Sequence, residues 1–200
     1  IPRMPSAANH ANTELAKFAA RSAFASSFFV VEGDDYRDHF LELSPDVVVV
    51  TNIEHDHPDY FRDLEHTVES FKKFVEKVPE DGFVVVNEDN AGCRELLAQK
   101  EHSNILKNVR MLSYGRGSEI FGKIKLQVPG EFNRYNATAA AITAMELGVS
   151  QEVVEKVLAD FRGIWRRFEV VGTMPTVHYP SAPPSPVLAD ILSHGERNIN

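Results

Sequence analysis

Apolar and polar residues change their spacing several times along this chain. Four short runs are nearly continuous in β-branched or aromatic residues: Phe28 to Val31, Val47 to Thr51, Phe83 to Val86, and Val109 to Ser113. A run without polar alternation suits a strand buried on both faces, as in a parallel sheet. Between the runs the period lengthens. Leu64, Val68, Phe71, Val75 and Val78 recur three and four apart, which predicts one apolar stripe on a helix from about Asp63 to Lys77, ended near Pro79. Asn136 to Leu147 is alanine-rich and predicts a second helix, closed by Gly148. Ser150 as N-cap, with Glu152 near the start, predicts a third helix to about Phe161. Strands alternating with helices predict an α/β fold, a mostly parallel sheet flanked by helices, with a short piece of a following domain.

The two ends differ from the middle. Ala11 to Phe24 has helical character but weak periodicity, and residues 1–27 are expected to be a remnant of whatever precedes the first acidic cluster. The central domain is expected over 28–172. Beyond it, Pro175, Pro180, Pro183, Pro184 and Pro186 mark residues 173–200 as a linker and the start of a C-terminal domain, with a short helical candidate at Val187 to Ser193.

Composition narrows the classes. The chain has 200 residues, 43% of them apolar and 25% charged, the balance of a globular protein. No run approaches the roughly 18 apolar residues of a membrane span, and the N-terminus lacks the apolar stretch of a signal peptide, so no membrane contact and a cytoplasmic location are expected. Cys93 is the single cysteine, so a metal would sit on carboxylate and imidazole ligands. The net charge of −8 argues against a nucleic-acid surface but leaves room for a phosphate ligand held by a few cations.

Four clusters could carry chemistry. Glu32-Gly33-Asp34-Asp35 follows directly on an apolar run, where a parallel sheet would present a metal-binding carboxylate; a solvated loop start reads the same way. Glu54-His55-Asp56-His57-Pro58-Asp59 follows the second run and combines imidazole and carboxylate ligands. An ordinary polar loop or an acidic helix start competes there, as does a metallo-hydrolase signature, which needs a His where this chain has Tyr60. Asn133 and Asn136 lie three apart at a helix start and can face one way, where an Asn amide pairs with an adenine edge; Asn133 could equally be a cap. Arg166 and Arg167, beside Trp165 and Phe168, could neutralise a polyphosphate or form surface ion pairs.

In order and wording these pieces resemble the central domain of the Mur ligases. The resemblance rests on Tyr36-Arg37-Asp38-His39-Phe40-Leu41, on Thr51 to Phe61, on Pro129-Gly130-Glu131-Phe132-Asn133-Arg134-Tyr135-Asn136-Ala137, and on Arg166-Arg167-Phe168. It covers about residues 28 to 172 and is strongest to the branch that joins L-alanine to UDP-N-acetylmuramate. It implies an ATP-dependent amide-bond ligase of peptidoglycan synthesis, acting through an acyl phosphate, with ATP and Mg²⁺ as cofactors. It implies Glu32 and His57, not His55, as magnesium ligands, and Asn133 and Asn136 as the adenine site, with Phe132 in place of the usual His. It implies Arg167 as the arginine on the nucleotide phosphates. Arg167 and His57 would be the catalytic residues. Such chemistry runs on positioning and charge neutralisation.

The chain also departs from the family's pattern. No Gly-Thr-x-Gly-Lys-Thr phosphate loop occurs in it, and His178-Tyr179-Pro180 is a poor match to the C-terminal Asp-Tyr-x-His-His-Pro. Tyr114 to Lys125 is shorter than the family's β-rich segment. These departures imply a part of a longer enzyme.

Overall fold

A computed structural model of the chain describes residues 28–164. In chain order the elements are β1 (Val47–Val50), α1 (Leu64–Val75), β2 (Phe83–Asn87), α2 (Ala91–Gln99), β3 (Met111–Tyr114), α3 (Glu119–Lys123), α4 (Glu131–Glu146) and α5 (Gln151–Asp160). Two stretches of 3₁₀ turn, Tyr36–Glu42 and Leu106–Asn108, precede β1 and β3.

The sheet is parallel, ordered β1-β2-β3. Val47 pairs with Phe83 and Val50 with Val86; Val84 pairs with Met111 and Asn87 with Tyr114. The central strand explains the continuous apolar run, because Phe83, Val84, Val85 and Val86 are all buried. Val84 and Val86 face one way, into a core with Val48, Val50, Phe40, Val68, Val75 and Leu96. Phe83 and Val85 face the other way, against Tyr114 of β3 and Ala139 of α4. A third cluster joins α3, α4 and α5 through Ile120, Ala137, Ala141 and Val154. The molecule is therefore layered, with α1 and α2 on one face of the sheet and α4 on the other. Removing each such valine from water is worth roughly 1.5–3 kcal/mol, and this drives the layering.

Three predicted helices are present. Asp63 caps α1, its carboxylate accepting the His66 N–H at 2.8 Å. α4 starts five residues before the expected Asn136, because Gly130 provides φ +96 at its N-cap. Its end is a Schellman turn: Gly148 N–H donates to Met145 O at 2.9 Å and Val149 N–H to Ala144 O at 3.0 Å. Ser150 stands at the N-cap of α5.

Two expectations are corrected. Phe28 to Val31 is not a strand: it is non-regular, with Phe29 94% and Val30 90% exposed. A run of apolar residues becomes a buried strand only with a ladder partner and covering layers, and among the described residues none reaches it. The run beginning at Val109 enters the sheet at Met111, because the 3₁₀ turn before it occupies Leu106–Asn108. The helix α2 has no apolar stripe long enough to announce it. Its buried face is Gly92, Cys93 and Leu96. Burial pushes the Cys93 thiol up to about 12, which makes it a core residue without reactivity. The expected boundary near residue 172 and the linker to 200 lie outside the described residues, as does the segment 1–27.

Candidate functional site

In an open parallel sheet the strand exits at the carboxyl edge gather into one crevice. Here that crevice is an open cavity of about 250 Å³. The β1 exit contributes Thr51, Asn52 and Glu54; the β2 exit contributes Asn87, Asp89 and Asn90; α4 contributes Phe132, Tyr135 and Asn136.

Its floor is braced by side chains that bond backbone. Asn87, the last residue of β2, donates from Nδ2 to Thr51 O at 2.9 Å and accepts the Asp89 N–H at 3.1 Å. Asn90 caps α2 by accepting the Cys93 N–H at 3.0 Å, and the same oxygen accepts the Ile53 N–H at 3.1 Å. One amide thus ties the β1 exit to the start of α2. The approach is close enough to require glycine at the second position of that helix: a Cβ on Gly92 would lie 2.3 Å from Ile53 O.

Asp89 is the polar hub of the opposite wall. Its Oδ2 accepts the Arg116 N–H at 2.6 Å and the Tyr135 hydroxyl at 2.9 Å. The Arg116 backbone bond, then the Tyr135 hydrogen bond, hold its carboxyl below the usual range, against the opposing effect of desolvation. Desolvation and the bond to Asp89 push the Tyr135 phenol up. Arg116 in turn pairs with Glu131 at 2.7 Å.

The two predicted asparagines do different things. Asn136 is exposed and lines the cavity. Asn133 donates from Nδ2 to Pro129 O at 2.6 Å, bracing the turn that starts α4. Beside Asn136, Phe132 is 51% exposed, and its ring covers Gly130, where a Cβ would lie 2.6 Å away. An aromatic face next to an amide edge suits a flat heterocycle.

The acidic and His-containing clusters meet on the surface beside the β1 exit. Tyr36 donates to Asp59 Oδ2 at 2.6 Å, and Tyr60 donates to Asp38 Oδ2 at 2.7 Å. Asp38 also accepts from the buried Ser70 hydroxyl of α1. Phe40 anchors this segment, its ring 4.6 Å from Phe74 and 5.1 Å from Phe71. The Tyr36 hydrogen bond lowers the Asp59 carboxyl, and the His39 bond lowers that of Asp34. Three non-glycine residues adopt left-handed backbone in this patch: Arg37 at φ 52, Asp38 at φ 62 and His57 at φ 55. Such strain concentrates where a structure fixes a functional side chain.

His55 and His57 separate cleanly. His55 Nε2 donates to Phe61 O at 2.8 Å, so that nitrogen braces the loop. His57 faces the Tyr36 ring, with centroids 4.7 Å apart. Glu32 lies exposed four residues upstream of Tyr36. Among the described residues no group of three or more His, Cys, Asp or Glu converges as a metal cage. Mg²⁺ does not require one, since it keeps several waters and takes one or two protein ligands together with phosphate oxygens. A carboxylate at Glu32 and an imidazole at His57 fit that donor set. Arg167 lies outside the described residues.

Sequence reasoning passed over Asn87, Asp89 and Asn90. The signal is present in the sequence: Asn87-Glu88-Asp89-Asn90 follows a buried-strand run, as the Glu54 to Asp59 cluster does. Tyr36 and Tyr135 carried no such signal, because their partners lie 23 and 46 residues away.

A family model described as the Mur ligase middle domain matches residues 6–144. The chain is 38% identical over 166 residues to UDP-N-acetylmuramate–L-alanine ligase of Caldicellulosiruptor bescii, covering 74% of this chain and 36% of that protein. It is 33% identical over 168 residues to the protein of that name in Caldanaerobacter subterraneus, covering 74% and 36%. The chain thus spans about a third of the length of these relatives. Among solved structures, MurF from Acinetobacter baumannii matches with TM-score 0.52 and 21% identity, over 67% of this chain and 33% of that one. A UDP-N-acetylmuramate:L-alanyl-γ-D-glutamyl-meso-diaminopimelate ligase from Neisseria meningitides matches with TM-score 0.51 and 24% identity, over 64% and 43%. The structural likeness bears on the fold alone, and the sequence match bears on descent; together they establish that this chain belongs to the Mur ligase middle-domain family.

Proposed function

We propose that this chain forms the middle-domain part of a cytoplasmic, ATP-dependent ligase that joins L-alanine to UDP-N-acetylmuramate in peptidoglycan synthesis. The observation that carries the nucleotide part of this reading is the cavity at the strand exits, which sets the exposed Phe132 ring beside the Asn136 amide at its rim. The names of the relatives point to the same pair of substrates. No described helix is long and apolar enough to cross a membrane.

In this reading Asn136 presents its amide to the adenine edge, Phe132 stacks on its face, and Asn133 holds the turn that places both. Asp89, fixed by Arg116 and Tyr135, offers an ionised carboxylate at the cavity wall for ribose hydroxyls. Glu32 and His57 would hold Mg²⁺, which supplies charge neutralisation at the phosphates when bound. Arg167 would add the cation on the nucleotide phosphates. A second reading has the chain bind nucleotide and metal without catalysis of its own.

Two measurements test the proposal. ATP titrated onto the chain with Mg²⁺ should bind, and Asn136→Ala should weaken binding about tenfold, the loss of a paired amide contact of roughly 1.4 kcal/mol. Phosphate release from ATP by the full-length protein with UDP-N-acetylmuramate should require L-alanine over glycine, L-serine or a tripeptide. Absence of ATP binding overturns the nucleotide site. ATP binding without acceptor-dependent release selects the second reading.

A further inference from the structure

We propose that Tyr36 is a positioning residue that orients the His57 imidazole toward the Glu32 segment. The inference deepens the metal reading of His57 and rests on it. The His57 backbone is fixed from several sides: its N–H donates to Asp56 Oδ1 at 2.7 Å, and its carbonyl accepts the N–H groups of Tyr60 and Phe61 at 2.9 and 3.0 Å. The ring is less constrained. Its Nε2 stands 3.9 Å from Asp56 Oδ2, too far for a hydrogen bond, and the side chain is 39% exposed. An imidazole turning about two side-chain bonds loses ligand geometry unless something confines it.

Tyr36 supplies that confinement. Its ring packs on the imidazole at 4.7 Å with the planes inclined by 43°. The ring is itself fixed on three sides. Its hydroxyl bonds Asp59, Tyr60 meets it edge-on at 6.3 Å, and the Arg37 guanidinium lies 5.3 Å from its centroid. Its own N–H donates to Asp34 Oδ1 at 3.2 Å, so the residue belongs to the segment that carries Glu32. One side chain therefore couples the two stretches that bear the proposed ligands. A purely mechanical tether would depend on the hydroxyl bond to Asp59. Positioning depends on the aromatic face.

The experiment separates these using the 200-residue chain labelled with ¹³C-histidine, with His57 resonances assigned by their loss in His57→Gln. Without metal, the His57 ring protons should show a Tyr36 ring-current shift and an Overhauser contact to the Tyr36 ring. Tyr36→Phe should retain the shift and Tyr36→Leu should lose it. Titration of Mn²⁺ with ATP should then broaden His57. The Mn²⁺ concentration for half-broadening should rise about tenfold in Tyr36→Leu, as for loss of an orienting partner, and less than about twofold in Tyr36→Phe. No Overhauser contact in the unsubstituted chain, or an unchanged midpoint in Tyr36→Leu, overturns the proposal. The Overhauser measurement decides even if Tyr36→Leu does not fold. If Mn²⁺ leaves His57 sharp in the unsubstituted chain, the metal reading fails, and the metal-free shifts still decide whether Tyr36 confines the ring.

Discussion

Asn90 and Tyr36 stand on two sides of the β1 exit loop and hold it by different means. Asn90 reaches inward. Its one oxygen accepts from Ile53, a buried residue, and from Cys93 at the start of α2. Tyr36 reaches across the surface to Asp59 and His57, and the groups it joins are exposed or half-buried. The inner end of the loop is thus part of the core, where a lost partner leaves a donor without water. The contacts that Tyr36 makes at the outer end compete with solvent. The difference teaches how one loop can be held by the core at Ile53 and by surface contacts at His57 and Asp59.

The comparison is broken most sharply at Gly92. Gly92→Ala places a methyl 2.3 Å from Ile53 O and 2.9 Å from Ile53 Cβ, so α2 and the loop must part. The expected loss is about 3 kcal/mol, at the upper end for overpacking, read from urea unfolding. A loss under about 1 kcal/mol would show that the inner end yields as readily as the outer. Asn90→Ala comes next. It removes the cap of α2 and strands the Ile53 N–H, which together should cost about 2 kcal/mol. Nucleotide affinity should fall with it, because Asn90 lines the cavity.

Smaller effects belong to the outer end. Tyr60→Phe deletes the hydroxyl bonded to Asp38 at 2.7 Å, and its unfolding midpoint should drop far less than that of Asn90→Ala. A comparable drop would show that the surface contacts carry the loop after all. The smallest effect is a pH dependence. Asp89 has its carboxyl lowered from 3.8 in the fold, so the stability it contributes is complete above that value and is lost as pH falls through the lower folded value. Asp89→Asn keeps acceptors for Arg116 and Tyr135 but cannot titrate. Urea midpoints taken from pH 7 to pH 3 should therefore fall less steeply in Asp89→Asn. Asp34 and Asp59, also lowered, continue to titrate in both proteins. Parallel curves would remove Asp89 from the account.

Much of the middle of the chain was legible before its structure. The stripe from Leu64 to Val75 and the all-apolar β2 are periodic signals, and the positive φ of Gly148 confirms a helix stop that composition alone suggested. Residue type alone named His57 and Asn136 as candidates for the site. It did not name the braces. Asn87 and Asn90 look like ordinary polar residues until strand pairing brings the exits of β1 and β2 side by side, and Tyr36 until its segment folds over the loop after β1. Phe28 to Val31 shows the reverse case, in which strand-like composition met no partner strand among the described residues.

What this sequence determined by itself is local: where the chain turns helical, where it runs extended and apolar, and which residues have the chemistry to hold a metal or meet a base. Those properties depend on side chains a few positions apart, so they can be read along the chain. Tertiary structure alone decided that Asn136 and not Asn133 lines the cavity, that His55 bonds the Phe61 carbonyl, and that Tyr36 packs on the half-buried His57. Each of those outcomes depends on the direction of a side chain and on a partner distant in sequence. Directions and distant partners come into being only when the sheet pairs and the helices pack against it.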